Sequence, residues 1–328
     1  LFFPSVASML HFVGGGVIRL RKSAVRILLA IVWGSGIGGF GSPLGGSANL
    51  VAISYLENIC GHEFMYIDWV SRFLPFLILT MLLNLVILLS IKLPVTKLAN
   101  TKSYFNDMYK QLGPMSKGEK IGLGLFIIST VLAFARPLFA DILPALRPAY
   151  IFFICGLLTF MFRDEEGKVL LTWKQAEKEL MWGMFFLFAG GLALGKLVTG
   201  TGAATKLAEV ITVMPLTGGI ETIFAFTAFS TILTEVSSNT AAASIAIPII
   251  QSIAEALGLN VIPYILVTIV AVNCAYILPV STRAIPIGYG LEPSELFKHG
   301  VMLSILNVLL TTVVGYIFIN YWPSFGQI

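Results

Sequence analysis

The chain has 328 residues, of which 57% are hydrophobic and only 12% are charged. Because about a quarter of the residues in a soluble domain are charged, this composition excludes an ordinary soluble protein and predicts a multi-pass protein of the cell membrane, in contact with lipid. The net charge is +4, but the basic residues lie between apolar runs and form no patch with aromatic residues, which excludes nucleic acid as a partner. The three cysteines are too widely spaced to indicate a zinc site or a disulfide framework.

The apolar runs predict an all-α integral membrane protein with several spans. In chain order, the predicted helices start near Ile27 and run into the stretch "IGGFGSPLGGSANL", then cover residues 70–91, 121–140, 150–162, the run "MWGMFFLFAGGLALG", residues 261–279 and residues 301–321. Two glycine- and proline-rich stretches interrupt this pattern, namely "IGGFGSPLGGSANL" and "YILPVSTRAIPIGYG". We expect both to be breaks within transmembrane helices.

Basic residues predict the orientation of these helices. Of the 21 Lys and Arg residues, 15 fall into residues 19–26, 92–120 and 163–178 and Lys298, which the positive-inside rule places in the cytoplasm. The topology then closes only if residues 221–256 enter and leave the membrane on the outer side. This segment contains the polar stretch "TEVSSNTAAAS", whose Ser, Asn and Thr residues can end one half-helix and begin the next. We therefore expect a re-entrant helical hairpin with these residues at its tip.

Two parts of the chain resemble each other in order and character. After Pro4 and again after Pro248 come an apolar helix, a broken stretch and a second helix with one asparagine, which is Asn84 or Asn307. By the positive-inside assignment the two copies have opposite orientations, and inverted repeats with matching broken helices are typical of secondary transporters. Two apolar, glycine-containing helices can also look alike by chance. In this interpretation the hairpin tip of the first repeat would fall just before residue 1.

The repeat predicts four segments. Residues 1–95 form the first inverted repeat, which lacks its N-terminal part and first hairpin tip. Residues 96–120 form a cytoplasmic linker, and residues 121–182 form scaffold helices and a cytoplasmic connection. Residues 183–328 form the second inverted repeat, with the re-entrant hairpin and the final helices.

The polar tip and the two breaks carry a resemblance to a known family. Ser238, Asn239 and Thr240 within "LTEVSSNTAAASIAIPI", with "FLFAGGLALG" upstream and "LPVST" downstream, resemble the divalent anion:sodium symporter (DASS) family. The stretch "IGGFGSPLGGSANL" is similar to the first broken-helix loop of that family, typically IGG-x-x-T-x-x-G-[ST]-P-P-N. The resemblance covers essentially the whole chain in order, and it depends on the tip and both loops together.

The resemblance implies an elevator-type transporter fold, a homodimer, and small dicarboxylate anions such as succinate, fumarate, malate or α-ketoglutarate as substrates. It implies that Asn239, Thr240 and Thr282 contact the substrate carboxylates. We also expect Ser238, Gly46, Ser47 and Asn49, which belong to the same motifs, and Arg283 to bind the substrate. The resemblance also assigns sodium-binding residues that apply if the protein is a symporter, namely Thr234, Ser237, Asn239, Ser281 and Gly45. Sodium as a coupling ion is then the only cofactor expected.

Arg283 departs from the family pattern, which has Pro-Pro-Asn after the preceding threonine. A guanidinium is always charged, and a charge within the membrane is a functional hypothesis by default. If Arg283 faces the substrate, it can replace sodium as a fixed countercharge, which leads us to favour dicarboxylate exchange. The alternatives are a sodium-coupled symporter of dicarboxylate, citrate or sulfate, with Arg283 reaching the cytoplasmic interface or pairing with an acid such as Glu292. Glu235 has a structural interpretation, as a cap of the hairpin, and a functional one, as the partner of Arg283 or a proton-linked group.

Other function classes fit less well. An intramembrane enzyme that uses Ser238 or Glu235 would need a base or a metal-ligand set, and the sequence contains no motif such as HExxH or a Ser/Lys or Ser/His pair at matching depth. We therefore predict no enzymatic activity. An anion channel remains an alternative, although channels rarely combine inverted repeats with paired broken helices.

Overall fold

The computed structural model describes residues 21–91, 101–180, 216–289 and 291–327, together with isolated positions between 182 and 202. Its described α-helices, in chain order, are α1 (Arg21–Gly39), α2 (Ser47–Cys60), α3 (Tyr66–Ser90), α4 (Thr101–Leu112), α5 (Lys117–Phe134), α6 (Pro148–Leu158), α7 (Trp173–Glu179), α8 (Ile220–Val236), α9 (Asn239–Ala256), α10 (Val261–Asn273), α11 (Ile285–Gly288) and α12 (Pro293–Tyr321). These residues form no β-strand, which confirms the all-α prediction. The start of the first predicted repeat and most of the run "MWGMFFLFAGGLALG" lie outside the described residues.

Two of the described helices are long and apolar enough to cross a membrane. They are α3, with 25 residues, and α12, with 29 residues. Shorter apolar helices occur at residues 25–39, 148–158 and 261–273. The lengths of α3 and α12 fit the roughly 20 residues that a bilayer span requires.

The chain divides into two compact units. One consists of residues 1–64, 68–99 and 186–328, and it contains α1, α2, most of α3, and α8 to α12. The other consists of residues 65–67 and 100–185, and it contains α4 to α7. In this second unit α5 packs against α6. Helix α5 ends at Phe134, six residues before its predicted end, because Pro137 follows in a 3₁₀ turn.

The first unit is built around α10. Twelve of the 13 residues of α10 are buried, all except Ile262, and the helix contacts α8, α9, α12 and α2. Its sequence, "VIPYILVTIVAVN", is apolar on nearly all faces, as expected for a helix that other helices surround. The core of the unit therefore lies next to the end of α10, where the second predicted break begins.

Both predicted breaks occur, and they have the same length. Helix α1 ends at Gly39 and α2 begins at Ser47, which leaves residues 40–46 outside a helix. Helix α10 ends at Asn273 and a 3₁₀ turn begins at Ser281, which leaves residues 274–280 outside a helix. Each gap therefore has seven residues. The inverted relationship between the two halves stays a prediction.

The polar stretch in residues 234–244 forms the tip of a helical hairpin, as expected. Helices α8 and α9 pack against each other and are joined by Ser237 and Ser238. The hydroxyl of Ser238 accepts a hydrogen bond of 3.2 Å from the backbone N–H of Ala241 and so caps α9. The placement of this hairpin in a membrane stays a prediction.

Candidate functional site

The N-termini of α2 and α9 lie together in the first unit. The two helices pack against each other, and the hydroxyl of Ser47, at the start of α2, hydrogen-bonds with the hydroxyl of Thr240, at the start of α9. The first turn of a helix has backbone N–H groups without helical partners and carries a partial positive charge. Two such ends side by side are a suitable binding site for an anion. Ser238, Asn239 and Ser47 are partly exposed there.

Glycines allow the first break to fold back on itself. A Cβ atom on Gly45 would lie 2.2 Å from the carbonyl oxygen of Gly39, a contact that no side chain can tolerate. A Cβ atom on Gly46 would lie 3.4 Å from Oδ1 of Asn273. The loop therefore passes close to the end of α1 and the end of α10, and the backbone at Gly46 leads directly into α2.

Asn49 lies in the core beneath this loop. It is 0% exposed, and its Nδ2 donates hydrogen bonds to the carbonyls of Gly39, at 2.8 Å, and Ser42, at 2.9 Å. Its Oδ1 accepts a hydrogen bond of 3.0 Å from Nδ2 of Asn273. Asn49 is one of the residues expected to bind the substrate, whereas its observed contacts hold the loop in place. Sequence reasoning missed Asn273, although an amide in the apolar stretch "ILVTIVAVNCA" was a signal.

The hairpin tip brings together two of the residues assigned to sodium. The hydroxyl of Thr234, near the end of α8, lies 2.9 Å from Oδ1 of Asn239 and 2.7 Å from the carbonyl oxygen of Val272. The hydroxyl of Ser237 donates to the carbonyl of Leu233 at 2.6 Å. Thr234 therefore connects the tip to the last turn of α10, which is the edge of the second break.

The other assigned residues lie in the first break or directly after the second one. Ser281 and Thr282 are exposed and belong to the 3₁₀ turn that follows the second break. Ser281 has a φ of 59°, which is a left-handed conformation that non-glycine residues rarely adopt. Gly45 belongs to the first break. Among the residues that the structure describes, no three His, Cys, Asp or Glu side chains cluster to bind a metal ion.

Glu235 binds the backbone of the second break. Its carboxylate accepts hydrogen bonds of 2.7 to 3.2 Å from the backbone N–H groups of Tyr276, Ile277 and Leu278. The side chain is buried, with 6% exposure of the residue. These three N–H groups have lost the helical partners that an unbroken α10 would supply, so the carboxylate satisfies them.

Arg283 binds the end of α8. Its Nη2 donates hydrogen bonds to the carbonyls of Thr234, at 3.0 Å, and Glu235, at 3.4 Å, and its Nε donates to the carbonyl of Leu278 at 2.8 Å. Its Nη1 lies 4.0 Å from Oε2 of Glu235. Arg283 is only 5% exposed, so other protein groups enclose its side chain; its depth in the membrane stays a prediction. The acid that it pairs with is Glu235 and not Glu292.

The family model described as the sodium:sulfate symporter transmembrane region matches residues 10–327. A relative from Staphylococcus saprophyticus, named sodium-dependent dicarboxylate transporter SdcS, is 26% identical over 308 residues, which are 90% of this chain and 59% of the relative. The protein of the same name from Staphylococcus aureus has the same identity and coverage.

A third relative comes from Haemophilus influenzae and is named an uncharacterized transporter. It is 31% identical over 311 residues, which are 91% of this chain and 64% of the relative. The chain thus spans about three fifths of the length of these curated relatives.

Proposed function

Because the chain belongs to the sodium:sulfate symporter family, we propose that it forms the substrate- and sodium-binding part of a secondary transporter that moves small dicarboxylates with sodium. The membership confirms the resemblance drawn from the tip and the two breaks. The family is one of membrane transporters and not of enzymes. Among the curated relatives, those named SdcS are called sodium-dependent dicarboxylate transporters.

The observation that carries this proposal is the contact between the starts of α2 and α9. Ser47 and Thr240 join two helix N-termini, and each N-terminus offers backbone N–H donors and a positive dipole end to a carboxylate. Ser238, Asn239 and Thr282 supply further neutral donors in partly or fully exposed positions. Gly46 keeps the first loop close to the site. A dicarboxylate, with two separated anionic groups, suits such a pair of donors.

The geometry favours sodium coupling over exchange. The exchange hypothesis requires a guanidinium at Arg283 that has no counterion, so that the carrier resists crossing the membrane empty. Arg283 instead pairs with Glu235 at 4.0 Å and donates to three backbone carbonyls. The pair has no net charge, and the positive charge that accompanies the anion must come from elsewhere. Sodium at Thr234, Ser237, Asn239 and the Ser281 carbonyl, with a second site at Gly45, would supply it.

Three further features belong to this proposal. We infer an elevator mechanism with inverted repeats, a homodimer, and the four segments of residues 1–95, 96–120, 121–182 and 183–328. Support comes from the presence of one break in each proposed repeat and from the hairpin that precedes the second break. In our proposal Asn49 holds the first loop in place and does not contact the substrate.

Uptake of labelled succinate by the full-length protein in liposomes tests the function. The assay compares vesicles with and without external sodium, and with and without dicarboxylate inside. Uptake that needs a sodium gradient and no internal dicarboxylate is the expected result. Uptake that needs internal dicarboxylate but no sodium would overturn the coupling, and uptake of sulfate but of no dicarboxylate would overturn the substrate class.

A further inference from the structure

We propose that Glu235 and Arg283 form a backbone clamp that holds the hairpin tip against the second break and thereby positions the sodium ligands. The inference rests on the proposed function for the sodium step only. The clamp itself depends only on the backbone groups that the two side chains bind. Neither residue contacts the substrate in this proposal, so both are positioning residues.

The two side chains connect the same two segments, one as an acceptor and the other as a donor of hydrogen bonds. Glu235 lies on the hairpin and accepts from three N–H groups of the break, whereas Arg283 follows the break and donates to two carbonyls at the end of α8. Arg283 also donates to the carbonyl of Leu278, whose N–H is bound by Glu235. A helix that ends inside a protein leaves carbonyls without partners, and a broken helix leaves N–H groups without partners. Each charged side chain therefore forms hydrogen bonds with the unpaired backbone groups of the other segment.

The direct attraction between the two charges is the weaker part of the arrangement. Their closest N–O distance is 4.0 Å, which is longer than the 2.7–2.9 Å of a charge-assisted hydrogen bond. The contacts of 2.7 to 3.0 Å are all made to the backbone. The role of the pair is therefore to fix two backbone segments relative to each other, and mutual neutralisation makes its burial tolerable.

The clamp holds residues that we propose as sodium ligands. Arg283 holds the carbonyl of Thr234, whose hydroxyl faces Asn239 and Val272. Arg283 lies two residues after Ser281, whose carbonyl is the proposed ligand on the other side. Cation binding is sensitive to the positions of all its oxygen ligands, so loosening the clamp should weaken sodium binding. The substrate donors depend less on it, because α9 and α2 have their own contact at Ser47 and Thr240.

Hydrogen–deuterium exchange of the full-length protein tests the clamp without any transport. In Glu235→Gln, the carboxamide offers one acceptor oxygen in place of two, and we expect faster exchange of the amides of Tyr276 to Leu278. In Arg283→Met, the break loses its attachment to α8, and the same amides should also exchange faster. Unchanged exchange in both variants would overturn the proposal.

The sodium dependence of uptake separates a positioning role from a purely electrostatic one. If charge alone mattered, Arg283→Met would remove a positive charge near the cation and lower the half-saturating sodium concentration, and Arg283→Lys would leave it unchanged. The clamp predicts the opposite. Arg283→Met should raise the half-saturating sodium concentration about tenfold or more, as expected for lost charge-assisted hydrogen bonds, and the KM for succinate at saturating sodium should change less than about twofold, within the range of a minor perturbation.

Arg283→Lys keeps the charge but cannot bridge two carbonyls with a planar fork, so it should show an intermediate rise. The exchanged variant, with Glu235→Arg and Arg283→Glu together, should not recover wild-type behaviour, since the partners of both side chains are backbone groups of fixed polarity. Recovery in the exchanged variant, or tighter sodium binding in Arg283→Met, would overturn the clamp.

Arg72 provides the matched control. It is also a buried arginine of the first unit, it pairs with Asp68 at 3.1 Å, and it donates to the carbonyls of Ser324 and Gln327. Arg72→Met should lower thermal stability without changing the half-saturating sodium concentration. If wild-type uptake proves independent of sodium, the proposed function fails, and hydrogen–deuterium exchange at residues 276–278 still decides whether the clamp exists.

Discussion

The side-chain amide of Asn273 donates a hydrogen bond of 3.0 Å to Oδ1 of Asn49, at the point where the two helix breaks meet. Asn273 is the last residue of α10, and Asn49 lies in the first turn of α2. The same Nδ2 of Asn273 donates to the carbonyl of Ile269 at 2.9 Å. One buried amide pair thus connects two segments that are 224 residues apart in sequence.

Asn273→Ala should destabilise the protein by about 1–3 kcal/mol, because it leaves Oδ1 of Asn49 without a donor in a buried position. Asn273→Asp should be worse, because a carboxylate would face two acceptor oxygens. Thermal unfolding in detergent measures both. Asn106→Ala, at an exposed position of α4, should change stability by less than about 0.5 kcal/mol. An equal effect of Asn273→Ala and Asn106→Ala would show that the amide pair contributes nothing to stability.

Asn239→Ala should abolish uptake while the protein remains folded. Asn239 interacts with the hydroxyl of Thr234, but that hydroxyl keeps the carbonyl of Val272 at 2.7 Å as a partner. Ser238 still caps α9. The measurement is succinate uptake together with thermal unfolding. Asn320→Ala, which removes an exposed amide from α12, is the control and should transport normally; normal uptake in Asn239→Ala would refute the site assignment.

Sequence patterns predicted the parts of the fold that depend on local chemistry. The break after Gly39, the break after Asn273 and the hairpin tip at Ser238 all lie where glycines, prolines or capping residues interrupt apolar runs. Helix α2 was not predicted, because its start in "GGSANL" has the composition of a loop. Its end is typical of a helix, with Gly61 in a left-handed conformation at a φ of 74°.

The partners of buried polar groups could not be predicted. The sequence shows that Glu235, Asn273 and Arg283 are costly in an apolar environment, but not which groups compensate them. The carboxylate of Glu235 accepts hydrogen bonds from backbone N–H groups 41 to 43 residues away. These groups lack helical partners only because α10 ends early. A pattern of residue types cannot reveal such a contact, since every residue offers the same backbone N–H. Position in the fold decides which of them need a partner.

Ser281→Gly should stabilise the protein, because glycine adopts the φ of 59° observed at this position without steric cost. The left-handed conformation costs an ordinary residue about 1–2 kcal/mol, and we expect a gain of up to about 1 kcal/mol after the larger entropy of the unfolded glycine chain is counted. Ser281→Val should lose stability, since β-branched residues tolerate this conformation least. Ser294→Gly, at an exposed helical position of α12, should instead be destabilising. Thermal unfolding that shows the same sign for both glycine variants would contradict strain at Ser281.

Gly300→Ala tests how closely α12 holds the second break. A Cβ atom there would lie 2.2 Å from the carbonyl oxygen of Tyr276 and 3.0 Å from Cα of Ile277. Both atoms belong to the backbone of residues whose N–H groups donate to the Glu235 carboxylate. This backbone therefore cannot move away from the added methyl group without breaking those hydrogen bonds. We expect the free energy of unfolding to fall by about 1–3 kcal/mol and the amides of residues 276–278 to exchange hydrogen faster. Gly124→Ala, in α5 with nothing within 4 Å of the added Cβ, should stabilise its helix slightly, and a similarly harmless Gly300→Ala would mean that the break can shift independently of α12.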